Sequence, residues 1–320
     1  MPLTLAKPQH AAAIVDFYER VHDHTFPHSE VRSEATLRDK LQKGTIAVII
    51  GSHDKRVVGC ALGWPKLWNE SLEMGAISVE ERADRVEVGK KLFDALKKLG
   101  TSHYGMATFH VGNKAAFKRV RNMGAQCWGF WTKPGSAGFE GAQLLMGFAN
   151  PKDEAVRVFP PSNALTSQAF ASRLIGIYDD PSLQPMPYPK TYPVGAPRGT
   201  GAPVLSGTVW PTYDARTNTM TIESLAGPFP DAMLREFMGK LRKKNVRDVR
   251  LNLPVNQDQA YLELLDLGFK PVAYLPGWFL KGPYRYDCVQ MVTGLGRVRD
   301  VPDEFVRGAI EKILGGFGVS

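Results

Sequence analysis

The residues best suited to chemistry lie in one short stretch between a predicted strand and a predicted helix. The sequence there runs E-E-R-A-D-R-V-E-V-G-K-K, in which Arg85, Gly89, Lys90 and Lys91 combine positive charge with a permissive backbone. The first amide hydrogens of a helix have no partner within the helix, so they attract anions. This pattern predicts a site for a small molecule that carries phosphate.

Three histidines form a second group that could do chemistry. His22, His24 and His28 occur in the segment H-D-H-T-F-P-H, after the first amphipathic stretch. Histidines in a loop suggest a metal, but no cysteine or carboxylate completes a recognised ligand pattern here. We therefore expect no metal site, and interpret the histidines as solvated side chains or as side chains that line a substrate site.

Composition limits the classes of partner. The chain has 320 residues, enough for two ordinary domains, and a net charge of +8 that favours an anionic partner. Its basic residues are scattered, and aromatic residues do not alternate with them as a single-strand platform would require. Nucleic acid stays open at this point, and a phosphate-bearing small molecule fits equally well.

Apolar segments and cysteines indicate the compartment. The longest apolar runs, such as residues 46–50, are far too short to span a bilayer, and the N-terminal residues lack the apolar core of a signal peptide. We therefore expect a cytoplasmic protein with no membrane partner. Cys60, Cys127 and Cys288 are widely spaced, so we interpret them as buried apolar residues and not as a disulfide framework.

The elements that must position these residues follow from apolar periodicity. Residues 1–149 predict a strand, two helices, three antiparallel strands, a helix, a strand, a helix and two strands, which is an α+β plan. A polar break at 150–154 separates this half from the next. A strand at 156–159 and a helix at 164–178 are then predicted, before a proline- and glycine-rich segment at 181–203 that excludes regular structure.

The second half then repeats the pattern. It predicts a hairpin at 204–210 and 219–225, a helix, a strand, a helix and two strands, and a tail helix at 302–314 that ends at Gly315 and Gly316. Each half contains an asparagine, then a helix with spaced apolar residues, then a glycine. The matching residues are Asn113, Ala116, Val120 and Gly124 in the first half and Asn256, Ala260, Leu264 and Gly268 in the second. This internal repeat predicts a duplicated domain.

Several segments give the chain a resemblance to the GNAT N-acyltransferase superfamily. They are R-V-V-G-C-A-L, A-I-S-V, D-R-V-E-V-G-K-K-L-F and N-K-A-A-F-K-R-V-R-N-M-G-A in the first half, with A-Y-L-E-L-L-D-L-G-F and Y-R-Y-D-C-V-Q-M in the second. The chain looks like a tandem pair of GNAT-like domains at 1–150 and 151–298, followed by a helix and tail at 299–320. Each domain would be a mixed, largely antiparallel sheet flanked by helices.

The resemblance implies that an acyl group moves from acetyl-CoA or another acyl-CoA to an amine of a small-molecule acceptor, by direct attack. Members of the superfamily hold the pyrophosphate on a loop of the form Q/R-x-x-G-x-G/A. In this chain Asp84 occupies the arginine position and Glu87 the first glycine position, and a carboxylate beside phosphates is repulsive. The residues that the resemblance assigns to the acyl-CoA are Ile77, Val79, Arg85, Val88, Gly89, Lys90, Lys91 and Asn113.

The resemblance also suggests catalytic residues. A backbone amide of the strand at 76–79 would polarise the acyl carbonyl. Glu73, on the same strand, is the first candidate for the base that deprotonates the amine, and His110 is the second. Many relatives protonate the leaving thiolate with a tyrosine where this chain has Val120. The thiolate would then leave unprotonated, or take its proton from water or another residue such as Tyr104.

Two alternatives remain open. The donor could be an aminoacyl-tRNA, as in Fem-type transferases, but the chain lacks a dense basic face, so tRNA is not favoured and DNA is not expected. The chain could also be a catalytically inactive pair that binds a ligand or partner. In the second half the segment L-A-G-P-F-P-D-A replaces the loop, and its prolines remove amide donors, so that half would shape the acceptor site or an interface.

Overall fold

The computed structural model describes residues 1–23, 26, 28–81, 83–122, 124–132, 141–149, 156–158, 207–215, 218–226, 231–246, 248–254, 257–293 and 300–316. His24, Asn256, the helix predicted at 164–178 and the segment at 181–203 lie outside these residues. The chain divides into two compact units. The first unit comprises Met1–Phe109 and Phe148–Asp153, and the second comprises His110–Gly147 and Glu154–Ser320.

The first unit is built on strands in sequence order. They are β1 (Leu3–Leu5), β2 (Ala47–His53), β3 (Arg56–Lys66), β4 (Ser71–Val79) and β5 (Met106–Val111), which ends in the second unit. Neighbours from β1 to β4 pair antiparallel, and β4 pairs with β5 in parallel. The parallel register runs only from Ser71↔Met106 to Met74↔Phe109, so β4 continues for five residues beyond its last pair with β5.

Amphipathic helices cover this part of the sheet. They are α1 (Ala11–His22), α2 (Glu34–Lys43) and α3 (Arg85–His103), with 3-10 turns at Pro8–His10 and Ser29–Arg32. The apolar residues of α1 recur at helical spacing, and Ile14 and Phe17 are fully buried in a core with Val48 and Leu62 of the sheet. Burying an apolar side chain of this size stabilises the fold by roughly 1.5–3 kcal/mol.

Helix α3 packs very closely on the sheet. A Cβ built at Gly59 of β3 would lie 2.8 Å from Leu92 and 3.1 Å from Val88, both on α3. A side chain at this position would force Leu92 and Val88 to shift, because protein interiors leave no such space. The apolar face of α3, which includes Leu92 and Leu96, is thereby held against β3 and β4.

The second unit contains most of the remaining elements. Its strands are β6 (Gln126–Trp131), β7 (Gln143–Ala149), β8 (Val156–Val158), β9 (Gly207–Asp214), β10 (Thr219–Ala226), β11 (Asp248–Pro254), β12 (Lys270–Lys281) and β13 (Tyr284–Val292), with the end of β7 in the first unit. Its helices are α4 (Lys114–Asn122), α5 (Asp231–Lys243), α6 (Asp258–Asp266) and α7 (Glu304–Gly316). The strands lie in the order β7-β6-β12-β13-β11-β10-β9, and β8 pairs with β13.

The strands β6 and β12 approach each other through a glycine. Gly129 pairs with Ala273 and has φ +148°, and a Cβ built there would lie 2.2 Å from the backbone oxygen of Val272. Such a contact is far inside van der Waals distance, so no side chain fits at this position. The pairing of β6 with β12 at Ala273 thus depends on Gly129.

The structure confirms the predicted α+β class and the predicted order of elements along residues 1–149. The order of pairings also recurs: β3–β4 and β9–β10 are antiparallel, and β4–β5 and β10–β11 are parallel. The tail helix α7 ends at Gly316, the second of the two glycines at which the sequence predicts its end.

Candidate active site

The strand β4 is irregular at Ala76. Cys60 of β3 pairs with Ser78 of β4, and Leu62 pairs with Gly75. One residue of β3 between these pairs therefore lies opposite two residues of β4, Ala76 and Ile77. Ala76 has φ +48°, in the left-handed region that a residue with a Cβ rarely occupies. Such a bulge removes backbone groups from the ladder and redirects the strand, and bulges are over-represented next to active sites.

Next to the bulge, aromatic and histidine rings of the first unit contact one another in a continuous series. The ring centroid of Phe26 lies 4.4 Å from that of Tyr18 and 4.7 Å from that of His22. The ring centroid of His28 lies 5.2 Å from that of Phe26 and 4.6 Å from that of Trp64. The residues of this ring row are Tyr18, His22, Phe26, His28 and Trp64. It joins α1, the loop after α1 and β3 into one surface.

One end of the ring row is attached to the bulged strand. The Tyr18 hydroxyl lies 3.4 Å from the backbone oxygen of Ala76, and His22 Nε2 lies 2.9 Å from Ser78 Oγ. Burial raises the pKa of the Tyr18 hydroxyl, which therefore stays protonated and able to donate at neutral pH. These contacts fix α1 against the irregular part of β4.

The other end of the ring row carries carboxylates. The indole Nε1 of Trp64 donates to Glu30 Oε1 at 2.8 Å. Trp64 is also the direct cross-strand partner of Glu73, and its ring lies beside Gly75, where a Cβ would be 3.8 Å away. The aromatic series thus ends at an indole that donates to one glutamate and is paired across the strands with another.

The electrostatics of this end favour a neutral histidine beside a charged carboxylate. Burial is the largest influence on His28 and lowers its pKa, although the charges of Glu30 and Glu73 act in the opposite direction. Burial alone would raise the pKa of Glu30, but the hydrogen bond from Trp64 and the charges of Lys40 and His28 lower it overall. A neutral imidazole in this setting can accept a proton near neutral pH.

The two predicted catalytic residues lie in different units. Glu73 is on β4 of the first unit, close enough to His28 to affect its pKa. His110 is in the second unit, where its ring meets the edge of Trp131 at 4.9 Å and 87°. Of the two, Glu73 is the one that belongs to the cluster around the bulge.

The start of α3, where the sequence predicted an anion site, is already capped. Asp84 Oδ1 accepts hydrogen bonds from the amides of Val86 and Glu87, both at 3.1 Å. Aspartate is among the best capping residues because its carboxylate satisfies these amides. The donors that a phosphate would use at this helix end are therefore occupied by the chain's own carboxylate.

The basic residues of the same turn are partly neutralised. Arg85 pairs with Glu81 at 3.1 Å, and Lys91 pairs with Glu87. Lys90 is exposed and has no ion pair among the residues that the structure describes. Exposed pairs of this kind contribute about 0.3–0.5 kcal/mol each, so they can exchange for a ligand at little cost.

Other residues assigned to the acyl-CoA have packing roles. Val88 is 9 % exposed and faces β3, and Gly89 lies against β4, where a Cβ would be 3.9 Å from Val79. Val79 and Ile77 are partly buried on β4 itself. The side chain of Val88 is thereby committed to the core of the first unit.

Asn113 caps a helix of the second unit. Its Oδ1 accepts from the amide of Ala116 at 2.9 Å, and its backbone oxygen accepts from the amide of Phe117 at 3.0 Å. Both bonds stabilise the first turn of α4. Val120, farther along α4, is buried, and burial raises the pKa of Tyr104, which keeps that phenol protonated at neutral pH.

The sequence reasoning missed Glu30, Trp64 and Tyr18 as members of the site, although it considered His22 and His28 as side chains that line a substrate site. A signal for Trp64 was present, because the hairpin of β3 and β4 sets the register that places it opposite Glu73. Glu30 carried no such signal. It lies in a 3-10 turn whose position depends on how α1 and α2 pack.

The second unit has a buried polar arrangement of its own. Asp287 is 1 % exposed and accepts from the Tyr274 hydroxyl and, at 2.7 Å, from the amide of Gly277. It lies opposite an irregular stretch of β12, whose amide it satisfies. Asn252 and Gln290, also buried, are joined at 3.0 Å. These contacts satisfy buried polar groups of the unit, although Gln290 Oε1 has no hydrogen-bond partner among the described residues.

No group of three or more histidine, cysteine or carboxylate side chains suited to a metal ion occurs among the described residues. Within the same residues, no helix has the length and apolar character needed to cross a membrane.

No family model matches the sequence, and no curated protein sequence matches it. Solved structures are similar to it. One is an aminoglycoside 6'-N-acetyltransferase complexed with coenzyme A, at 13 % identity and TM-score 0.35, over 47 % of this chain and 97 % of the solved one.

Two more similar structures come from named organisms. One is a ribosomal-protein-alanine N-acetyltransferase from Brucella melitensis, at 18 % identity and TM-score 0.38, over 47 % of this chain and 99 % of the solved one. The other is an acetyltransferase of the GNAT family from Streptococcus pneumoniae, at 14 % identity and TM-score 0.38, with the same two coverages. The solved structures named here are thus acetyltransferases, one of them from the superfamily that the sequence also resembles.

Proposed function

We propose that the chain is a tandem pair of GNAT-like domains and that its first unit transfers an acyl group to the amine of a small molecule. The observation that carries this proposal is the bulge of β4 at Ala76, which lies beside the ring row and on the same strand as Glu73. A polarising backbone amide and a proton acceptor next to each other are what acyl transfer to an amine requires.

The roles of the residues follow from their positions. An amine acceptor is protonated in water and must lose a proton before it can attack. His28 is held neutral by burial, so it is suited to take that proton, and the nearby charge of Glu73 stabilises the imidazolium that results. A backbone amide of the bulge, at Ala76 or Ile77, would stabilise negative charge on the acyl oxygen.

The donor that we propose is acetyl-CoA or another acyl-CoA, which would supply the acyl group as a thioester. The start of α3 does not fit its pyrophosphate in the conformation seen here, because Asp84 accepts from the amides that phosphate would use. Lys90 remains available to an anion. Arg85 and Lys91 would also bind an anion once it replaces their surface ion-pair partners. The acyl-CoA assignment therefore depends on displacement of the Asp84 carboxylate.

An assay that detects free thiol tests the proposal. Wild-type protein is incubated with acetyl-CoA and a set of amines, and thiol release that requires the amine is the expected result. Replacing His28 with glutamine should lower kcat/KM by about a hundredfold, which is typical for loss of a general base. His53→Gln is the matched control, because His53 is in the same unit and its side chain is 75 % exposed.

Native mass spectrometry with coenzyme A, acetyl-CoA and longer acyl-CoAs tests the donor separately. Absence of binding at millimolar ligand would contradict an acyl-CoA donor. The capped helix and the net charge of +8 then favour the Fem-like alternative, with an aminoacyl-tRNA as donor. Binding of charged tRNA that weakens steeply with added salt would support that alternative.

A further inference from the structure

The ring row ends at Trp64, whose indole contacts the Glu30 carboxylate and the His28 imidazole. Trp64 donates to Glu30, lies opposite Glu73 on the neighbouring strand, and has its ring centroid 4.6 Å from that of His28. Aromatic faces beside carboxylates are the chemistry with which proteins recognise ammonium groups. Nothing in the proposed acyl transfer itself requires Glu30 or Trp64.

We propose that Trp64 and Glu30 bind a positively charged nitrogen of the acceptor, and that the acceptor is therefore an aliphatic diamine or a longer amine with a second cationic nitrogen. The proposal rests on the proposed function for the identity of the other nitrogen, which is the one that is acylated. The binding of the cation itself does not depend on that function.

Two nitrogens are needed because the two ends of the acceptor meet opposite requirements. The reacting amine must be neutral when it attacks, so it cannot be held as an ammonium ion by a carboxylate. A second nitrogen can stay protonated, because Glu30 remains charged beside it. The reacting end would then lie toward His28 and the bulge of β4, and the cationic end toward Trp64.

The chain already contains a cation near this carboxylate. The charge of Lys40, which is half-buried on α2, acts on Glu30 and stabilises its ionised form. This charge opposes the approach of a second cation to Glu30, so removal of the Lys40 charge should make binding of the acceptor's second nitrogen tighter.

Calorimetric titration of the full chain without any acyl donor tests the proposal. The probes are 1,4-diaminobutane and 1-butanol, a molecule of similar length that carries no cation; 1-aminobutane is unsuitable because it is itself an ammonium ion in water. We expect the diamine to bind about tenfold more tightly than the alcohol, in the range measured for a desolvated cation on an aromatic face. Equal affinities for the two probes, or no binding of the diamine, would overturn the proposal.

Single substitutions test whether the cation is held at Glu30. Glu30→Gln keeps an oxygen for the Trp64 indole and removes the charge, so the diamine preference should be lost. Glu34→Gln removes the same charge four residues away, where Glu34 pairs with Arg38 on the surface, and should change affinity less than twofold. Lys40→Gln should tighten diamine binding. If Glu30→Gln and Glu34→Gln behave alike, the cation is not held at Glu30.

The outcomes separate this proposal from the proposed function. Diamine binding that depends on Glu30, together with no thiol release from any acyl-CoA, would retain the cation site and contradict acyl-CoA-dependent transfer. Thiol release with monoamines and diamines alike, at equal kcat/KM, would retain acyl transfer and contradict the cation site.

Discussion

His28 shows how much of a side chain's chemistry depends on its neighbours. By sequence it is one of three histidines in a polar segment, with nothing to distinguish it from the others. In the structure its ring lies between those of Phe26 and Trp64, and the charges of Glu30 and Glu73 reach it. Burial outweighs both charges and keeps the imidazole neutral, which is why we assign it the proton-accepting role.

The lowered pKa values of His22 and His28 predict a loss of stability in mild acid. The unfolded chain binds a proton on each histidine near pH 6.5, whereas the folded chain binds it only at lower pH. The unfolded state therefore holds more protons below about pH 6.5, and the free energy of unfolding falls as pH drops from 7 to about 5.5. Urea unfolding at several pH values measures this fall.

A His22→Gln/His28→Gln double variant is the comparison for this experiment. Its free energy of unfolding should depend less on pH between 7 and about 5.5, because the two groups responsible are gone. The lowered pKa of Glu30 acts in the same direction but below about pH 4.5, outside that window. An unchanged slope in the double variant would contradict the assignment.

At the scale of single elements, the position of α3 was predictable from the sequence, whereas anion binding at its start stays a prediction. Its apolar spacing predicts a helix after β4, and its glycine and lysines suggested an anion site. Whether the first amides of α3 are free to bind an anion depends on Asp84, which can cap the helix or be displaced by a ligand. Sequence shows only that an aspartate is there. The two hydrogen bonds to Val86 and Glu87 show that it caps.

Substitutions at Asp84 separate capping from anion repulsion. Asp84→Ala should lower the free energy of unfolding by about 1 kcal/mol, whereas Asp84→Asn, which also caps, should change it by a few tenths. If coenzyme A binds at this turn, Asp84→Asn should raise its affinity, because the competing negative charge is removed. Coenzyme A affinity that is unaffected by Asp84→Asn and by a Lys90→Glu/Lys91→Glu double change would place the donor elsewhere.

The close contact between β6 and β12 at Gly129 predicts that a side chain there destabilises the fold. Gly129→Ala should lower the free energy of unfolding by about 3 kcal/mol or more, because its Cβ would overlap the backbone of Val272 and Ala273. Thermal or denaturant unfolding measures the loss.

Gly239→Ala is the control for Gly129→Ala. It lies inside α5 and a Cβ there would meet nothing within 4 Å, so it should stabilise by roughly 0.5–1 kcal/mol. If both substitutions proved equally neutral, the close approach of β6 and β12 would be wrong.

For the whole molecule, the alternation of strands and helices was predictable because apolar periodicity differs between them. The pairings that sequence cannot show are those between residues far apart, such as Gly129 with Ala273. The sequence placed a domain boundary at residue 150, and that boundary stays a prediction. The structure groups His110–Gly147 with Glu154–Ser320, so β6 and most of β7 belong to the compact unit of the later residues.

This grouping predicts the behaviour of a fragment. A fragment of residues 151–320 lacks β6, which pairs with β12 and contacts α7. The edge of β12 would then be exposed, so we expect the fragment to aggregate or to melt without a cooperative transition. Circular dichroism on heating measures this. A sharp, reversible transition in the fragment would instead support a self-sufficient domain that begins at residue 151.

The three cysteines offer a way to time the opening of the two units. Cys60 is in the first unit and Cys127 and Cys288 are in the second, and all three are buried thiols. Burial raises their pKa, that of Cys127 to about 12, so they react with an alkylating reagent only when their surroundings open. Peptide mass spectrometry after brief labelling would give one rate for each unit. Equal rates would mean that the units open together, and a faster Cys60 would mean that the proposed acyltransfer unit opens on its own.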